Sequence, residues 1–557
     1  MPPLRPFPGP AIFFVKSTSR ATLIGSDLHS DGSFPVLSTA PVHLHRYVLK
    51  KPPCARRCLA VPAIANLTLP QPAPEPVTAG QVMHSARRMI ALTGVALVVG
   101  CSHAPVYTTP EIPSPSNYKE STSMWQPAKP ADHLSRGNWW KAYHDATLDR
   151  LVTKLDKSNA DLAVAVAHYD QAAAFAAQTR SGLFPTVGAA TFETHNRQSD
   201  TRALRSSTQP SYYGDQAVGL TAKYEVDLWG RVHNLVKSGE AARQATAADL
   251  ESVHLSLRAE LANGYLDLRM LDAQAKQLTE EIKADQQALE LTQNRFKGAV
   301  ASELDVSRAK VQLDQTHAKL ADIASVRALR EHAIATLVGE SASGFSIPPD
   351  TVDIRVPSIP VSVPAALLQR RPDIAAAQRR IAQSNALIGV AKAAYFPSLD
   401  LSAVAGYESA QQAALLTAPS LFWTIGPSAL LTIADAGRRK AVEAQAEAVF
   451  RESGAKYRGT VLHAFQEVED NLSLLHHLTV ESHALEEAVK DTQRTLDIAM
   501  NRYREGVASY LEVVTAQASA EQVQLDELSL RKRRLQASVN LIRALGGGWG
   551  AASLAAR

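Results

Sequence analysis

The residues of this chain that are able to do chemistry are few and scattered. Its 557 residues include three cysteines, Cys54, Cys58 and Cys101. Cys54 and Cys58 are four apart, with no further Cys or His close enough to complete a zinc set. No Gly-x-Ser-x-Gly turn, phosphate-cradling loop or metal-ligand constellation occurs, so an enzyme is the least expected class. The formal net charge is only +4, and no basic stripe carries interleaved aromatics, which argues against a nucleic-acid partner. Three features stand out. Cys101 ends an ordered run of residue types. Two short segments far apart repeat each other, and the acidic position they share is Asp305 in one and Glu512 in the other. Amphipathic strands occur in pairs.

Cys101 follows Met83, the basic pair Arg87 and Arg88, the eleven apolar-biased residues from Met89 to Val99, and Gly100. That is the order of an export signal: a positive start, an apolar stretch and a small residue at the cut. Val98-Val99-Gly100-Cys101 resembles a bacterial lipobox. The resemblance implies that Cys101 becomes the mature N-terminus, carrying an S-diacylglycerol and an N-acyl chain. Several acyl chains anchor stably where one does not. Cleavage leaves Cys101 as the sole thiol, without a disulfide partner in an oxidising compartment. Residues 1–82 hold 14 of the 31 prolines and no sustained period, and read as a disordered extension or an over-long gene start. Residues 83–100 are the signal, and 101–131 a Pro-rich lipidated tether.

The apolar run before Cys101 is too short for a helix that crosses a bilayer, which needs about 20 residues. If the chain spans a membrane, it does so as β-structure. Residues 218–228 place Val218, Leu220, Ala222, Tyr224, Val226 and Leu228 on one face, with Gly219, Thr221, Lys223, Glu225 and Asp227 on the other. Leu399, Leu401, Ala403, Ala405 and Tyr407 alternate with Asp400 and Ser402; Ile425, Pro427, Ala429, Leu431 and Ile433 alternate with Gly426, Ser428 and Thr432. The strand after Pro185 is the least convincing, because Thr186 to Thr194 has mixed faces. One apolar and one polar face suits a water-lined barrel, although a soluble sandwich edge shares the pattern. Four strands are too few to close in lipid, where open edges are not tolerated. Three protomers sharing one barrel supply twelve.

The body is one unit written twice. Asn294–Val306 and Asn501–Val513 match at seven of thirteen positions, offset by 207 residues. The same offset pairs Gly230-Arg231 with Gly437-Arg438, and Gly339 with Gly546. Upstream, Phe184-Pro185 pairs with Phe396-Pro397, and Asp161-Leu162-Ala163 with Asp373-Ile374-Ala375, offset by 212, so the first strand hairpin is the longer. Each unit reads helix, two strands, long helix, tip, helix. The first spans 132–339 (hairpin 186–228, helices 231–297 and 302–338). The second spans 365–546 (hairpin 398–434, helices 437–504 and 509–545). Residues 340–364 link them, and 547–557 form a tail. No proline interrupts 211–347 or 428–557, as long helices require. Pro372 and Asp373 read as a helix start. The stripe Leu250, Val253, Leu257, Leu261, Gly264, Leu268, Leu271, Ala275, Leu278, Ile282 has helical spacing. At 1.5 Å per residue the 231–297 helix reaches about 100 Å, a rod suited to a conduit.

Together these segments resemble the outer-membrane factor family of TolC-like and OprM-like channels, most closely its NodT-type lipoprotein branch. The resemblance spans roughly 139–546. It is carried by Trp139-Trp140 with Leu148 and Leu151, Tyr224–Arg231, Leu368–Ile374, Ile388–Leu399 and the two tip segments. It implies a mainly α protein with transmembrane β: a homotrimeric twelve-stranded barrel, four strands per protomer, continued by an α-helical barrel with an equatorial belt. It implies a passive duct in the outer membrane, extending into the periplasm. A periplasmic membrane-fusion adaptor meets the tips, an inner-membrane RND transporter drives export, and there is no cofactor beyond the lipid on Cys101. By resemblance, Gly298, Val300, Ala301, Ser302, Gly506, Val507, Ala508 and Ser509 are adaptor-contact tips, and Asp305, Glu512 and Tyr503 are periplasmic gate candidates. In a trimer, Asp305 and Glu512 would each form a ring of three like charges that favours cations. Ala508 stands where TolC-type channels have a gate arginine, which puts a TolC-style gate ion pair in doubt. Ser302 and Ser509 precede the two acids at capping-box spacing, so helix capping is the competing role. Two other assignments stay open: a conduit for type I protein secretion, and a periplasmic helical adaptor or scaffold.

Overall fold

The computed structural model describes residues 104–108, 112, 118–120, 136–204, 206, 208–357, 359 and 370–547. All lie in one compact unit, Val82–Arg557. Residues 1–82, the 83–100 signal, Cys101, much of the tether, part of the 340–364 linker and residues 548–557 of the tail lie outside the described residues.

Among the described residues, seven α-helices and four strands follow one another: α1 Ala146–Ser158, α2 Ala160–Ser181, β1 Thr186–Arg197, β2 Tyr212–Glu225, α3 Arg231–Lys297, α4 Glu303–Leu337, α5 Pro372–Ala393, β3 Ser398–Ser409, β4 Leu421–Leu430, α6 Arg438–Arg504 and α7 Tyr510–Ala544. The duplication is visible in element lengths. The helices before the strands, α2 and α5, have 22 residues each. The long helices α3 and α6 have 67 each. The returning helices α4 and α7 have 35 each. Pro372 opens α5 with its φ already helical and no N–H to waste, and Asp373 faces the helix dipole in the first turn. No described helix is long and apolar enough to cross a membrane.

The strands form one antiparallel sheet in the order β1-β2-β3-β4, so the two duplicated hairpins meet at the β2–β3 pairing. Register puts the apolar positions in continuous rows. Val187, Ala222, Ala403 and Ile425 lie opposite one another in turn, as do Ala189, Leu220, Ala405 and Trp423. β1 runs its full twelve residues against β2. Its faces look mixed because its outer end leaves the apolar band: Glu193, His195 and Arg197 follow Val187, Ala189 and Thr191 on the same face. β2 ends at Glu225, short of Leu228, and β4 begins at Leu421, ahead of Ile425.

The core sits where all the helices of both units overlap. Leu148 and Leu155 of α1 pack there with Leu261, Leu266 and Leu268 of α3, Ile334 of α4, Ile381 of α5, Val468 and Leu472 of α6, and Leu535 and Leu541 of α7. Trp140 is buried beneath the Arg258 guanidinium, 5.1 Å from the ring centre, with Trp139 edge-on to it. Several polar groups enter this core as a hydrogen-bonded network, whereas the buried indole N–H groups of Trp139 and Trp140 have no hydrogen-bond partner among the described residues. Asp145 caps α1 by accepting from the Thr147 and Leu148 N–H groups, and also accepts from the Tyr265 hydroxyl at 2.7 Å. Arg269 in turn donates to Tyr265 and Asp272, and Arg327 donates to Asp272 from α4.

Candidate functional site

Three places carry the chemistry that function requires: the sheet, the helix tips and the end of the tether. The sheet's apolar face is bare in the single chain. Trp423 is 71% exposed and Ile425 63%, although such side chains normally seek burial. The opposite face carries Thr221, Lys223, Asp400, Ser402 and Ser428, with Lys223 Nζ 3.8 Å from Asp400. Gly219 and Gly406 face each other across β2 and β3. A Cβ at Gly406 would lie 2.3 Å from the Val218 carbonyl oxygen, so only glycine allows this approach. Among the described residues, β1 and β4 are each paired on one side alone. Below the sheet, Arg231 grips Glu225 through two hydrogen bonds of 2.6 and 2.5 Å, tying the foot of β2 to the first turn of α3. The Trp229 indole N–H donates to the Pro397 carbonyl, and its ring stacks on Phe396 at 4.7 Å, which binds the first unit to the second.

The tips lie at the far ends of the long helices, at 298–302 and 505–509. Gly298, Val300, Ser302, Gly506, Val507 and Ser509 are exposed, and Ala301 and Ala508 half-buried. Asp305 and Glu512 occupy equivalent positions but do different things. Asp305 closes a capping box: its backbone N–H donates to the Ser302 hydroxyl oxygen, and its carboxylate accepts from the Ser302 N–H at 3.2 Å. The second box does not form. Ser509 makes no side-chain cap, and the exposed Glu512 pairs instead with Arg502 across the turn at 3.1 Å. The longer Glu side chain reaches past the cap to the guanidinium that faces it.

Tyr503 is buried. It lies between Tyr510, at 5.4 Å, and the Arg295 guanidinium over its ring, at 4.6 Å, and its hydroxyl donates to Thr292 at 3.3 Å. Arg295 also donates to the Tyr503 carbonyl at 2.6 Å, capping the end of α6 from the other hairpin. The sequence repeat contains Arg295 as the match of Arg502. Nothing in the repeat separates the clamp from its surface-paired twin, because that difference is made by tertiary packing.

The tether follows a groove on the second unit. Ala104 lies against Gly389 near the end of α5, where an added Cβ would come within 2.7 Å of it. Asn385 donates to the Pro105 carbonyl and Tyr107 to the Gln378 carbonyl. Further along, Tyr118 is buried, and the N–H groups of Lys119 and Glu120 donate to the Glu469 carboxylate on α6. The path therefore starts at the strand-proximal end of α5 and runs towards the core. Cys101 lies three residues before Ala104, a reach of about 10 Å.

The sequence profile described as "Outer membrane efflux protein" matches residues 151–340 and 363–547. The chain is 30% identical over 466 residues to the "Probable efflux pump outer membrane protein TtgC" of Pseudomonas putida, covering 83% of this chain and 96% of that protein. It is 26% identical over 468 residues to the "Probable outer membrane lipoprotein SilC" of Salmonella typhimurium, covering 83% and 99%. Among solved structures, the outer-membrane channel OprN superposes with a TM-score of 0.74 at 28% identity, covering 81% of this chain and all of that one.

Proposed function

The chain belongs to the outer membrane efflux protein family, and on that premise we propose that it forms the exit duct of a tripartite pump as a homotrimer. It is an outer-membrane channel component of an efflux pump, as TtgC is. The relatives lend no support to a protein-secretion conduit or a periplasmic scaffold. In our reading the duct is passive, performs no covalent chemistry and passes small molecules. An adaptor docks on its tips, and an RND transporter supplies the energy.

One observation carries the proposal. A four-stranded sheet with a bare apolar face and two unpaired edges is mounted on 67-residue helices. In lipid those edges must be satisfied. Joining β4 of one copy to β1 of the next satisfies them and closes twelve strands. The apolar rows then face lipid, and the Lys223–Asp400 face lines water. Helices of about 100 Å carry the lumen onward. The tether supports lipidation of Cys101, because its described start lies close beneath the strands. Sequence likeness to the lipoprotein SilC points the same way.

The test is direct. Mature protein extracted in detergent should cross-link as a trimer and conduct ions in planar bilayers. Deleting the gene together with any parallel channel should sensitise cells to a broad panel of toxic compounds. A water-soluble monomer, or unchanged tolerance in the deletion strain, would overturn the reading.

A further inference from the structure

The two helical hairpins of one protomer are held together in their lower half by a small apolar cluster around Ala288, Ala309 and Val513 and by a set of polar bridges. Gln277 of α3 donates to Gln524 of α7, Arg295 caps α6, and Lys319 of α4 reaches Glu521 of α7 at 2.7 Å. Within this seam three carboxyls converge. Asp285 and Glu281 lie one turn apart on α3, and Glu521 enters from α7. Asp285 is 1% exposed and Glu521 4%. The Thr316 hydroxyl donates to Asp285 at 2.8 Å, and the Gln517 amide donates to its other oxygen at 3.4 Å.

The charge does not balance. Against three carboxyls stand one ammonium, Lys319, and the more distant imidazole of His317, both from α4. From α7 come Glu521, Gln517 and Tyr510, and the Tyr510 hydroxyl feels Asp285 as a neighbouring charge. From α6, Tyr503 reaches Tyr510. Three ionised carboxylates beside one ammonium in a buried seam is an expensive arrangement. A second observation shows what is missing. The Gln517 side-chain oxygen is buried with no hydrogen-bond partner among the described residues, in a side chain 2% exposed. A protonated carboxyl offers that acceptor a donor; ionised ones offer none.

We propose that Glu281 and Asp285, packed beside Glu521, hold a shared proton near neutral pH, and that its release loosens the seam between the two hairpins. Burial, then the charges of Asp285 and Glu521, push the Glu281 carboxyl up to about 7. Burial raises Asp285 as well. The folded chain therefore binds more protons here than the unfolded chain. This seam is most stable below the ordinary carboxylate range, weakens as pH rises through it, and is weakest once Glu281 has ionised above about 7. The consequence is local: tips held together in mild acid and freer in mild alkali.

The experiment is amide hydrogen exchange on the full mature protein at pH 6 and pH 8.5, corrected for the intrinsic pH dependence of exchange. Protection of 277–290 and 515–525 should fall at least tenfold at the higher pH in the wild type. It should change little in Glu281→Gln, a half-buried position that tolerates the amide. Asp285→Asn, which keeps the acceptor for Thr316, should behave likewise. Equal wild-type protection at both pH values would overturn the proposal, as would an equal fall in the variants. The inference concerns the helices alone, so its failure would leave the transport reading intact.

Discussion

Ala299 and Gly506 occupy the same place in the two hairpin turns, and both are left-handed, with φ of 57° and 82°. The second unit has the residue that this conformation favours; the first does not, because its glycine, Gly298, stands one position early with an ordinary φ of −82°. A left-handed L-residue costs roughly 1–2 kcal/mol, and glycine's extra chain entropy returns about half of that. Ala299→Gly should therefore stabilise the first tip by about 0.5–1 kcal/mol, and Gly506→Ala should weaken the second by about as much. Amide exchange across 299–302 should slow about two- to fivefold in the first variant and quicken across 506–509 in the second. No change in either would mean that the turns relax away from these dihedrals.

Asp305 and Glu512, equivalent in sequence, should separate on mutation. Asp305→Ala removes half of a formed capping box and should cost about 1 kcal/mol of local helix stability. Glu512→Ala removes an exposed ion pair with Arg502 and should cost less than about 0.5 kcal/mol. Local amide exchange at the starts of α4 and α7 reads both. The double variant tests the gate role in planar bilayers. Weaker cation selectivity or looser closure supports rings of charge in the assembled duct, whereas unaltered recordings leave Asp305 as a cap and Glu512 as a surface partner.

What sequence shows and what it hides follow from range. Element lengths of 22, 67 and 35 residues repeat because the duplicated glycines and the proline-free stretches mark where each helix starts and stops. Faces of β2, β3 and β4 are legible because one side meets one environment along most of the strand. β1 is not, since Glu193, His195 and Arg197 continue the face of Val187 beyond the apolar band. The capping spacing after Ser509 is real, yet Arg502 outcompetes it from across the turn. The meeting of Asp285 with Gln517 and Glu521, more than two hundred residues away, is made by packing between hairpins, and no local pattern marks it.

The anchor and its groove make separable predictions. Cys101→Ser should abolish acyl labelling while the sheet still inserts; persisting label would move the cleavage site elsewhere. Gly389→Leu leaves Cys101 alone but places a side chain where Ala104 and the Asn234 amide already lie within 2.7 and 2.5 Å of a Cβ. Acylation should then be normal, while limited proteolysis cuts residues 104–120 faster. Equal cleavage in wild type and variant would mean that the tether does not hold this groove.

The junction between each returning helix and the next unit's start is the most demanding feature of the duplication. Asn159 donates to the Leu337 carbonyl at the end of α4, and Arg371, at the matching place, donates to the Ala544 carbonyl at the end of α7. Just beyond these ends, Gly339 and Gly546 turn left-handed, at φ of 74° and 86°. A Cβ would lie 2.1 Å from the Ser158 carbonyl oxygen in the first and 2.3 Å from that of Arg370 in the second. Neither contact is with a flexible side chain, so backbone must shift. Gly339→Ala and Gly546→Ala should each cost at least 2–3 kcal/mol, combining dihedral strain with a backbone clash. Arg371→Ala should cost about 3–5 kcal/mol, because Glu467 and Asp373 lose a shared cation at a site where Arg371 is 8% exposed. Asn159→Ala should cost nearer 1–2 kcal/mol, losing a neutral cap and one carbonyl contact. The yield of detergent-stable assembled protein, and its midpoint in denaturant, should rank the four variants in that way. Wild-type behaviour of both glycine variants would show that the two units do not lock at this joint.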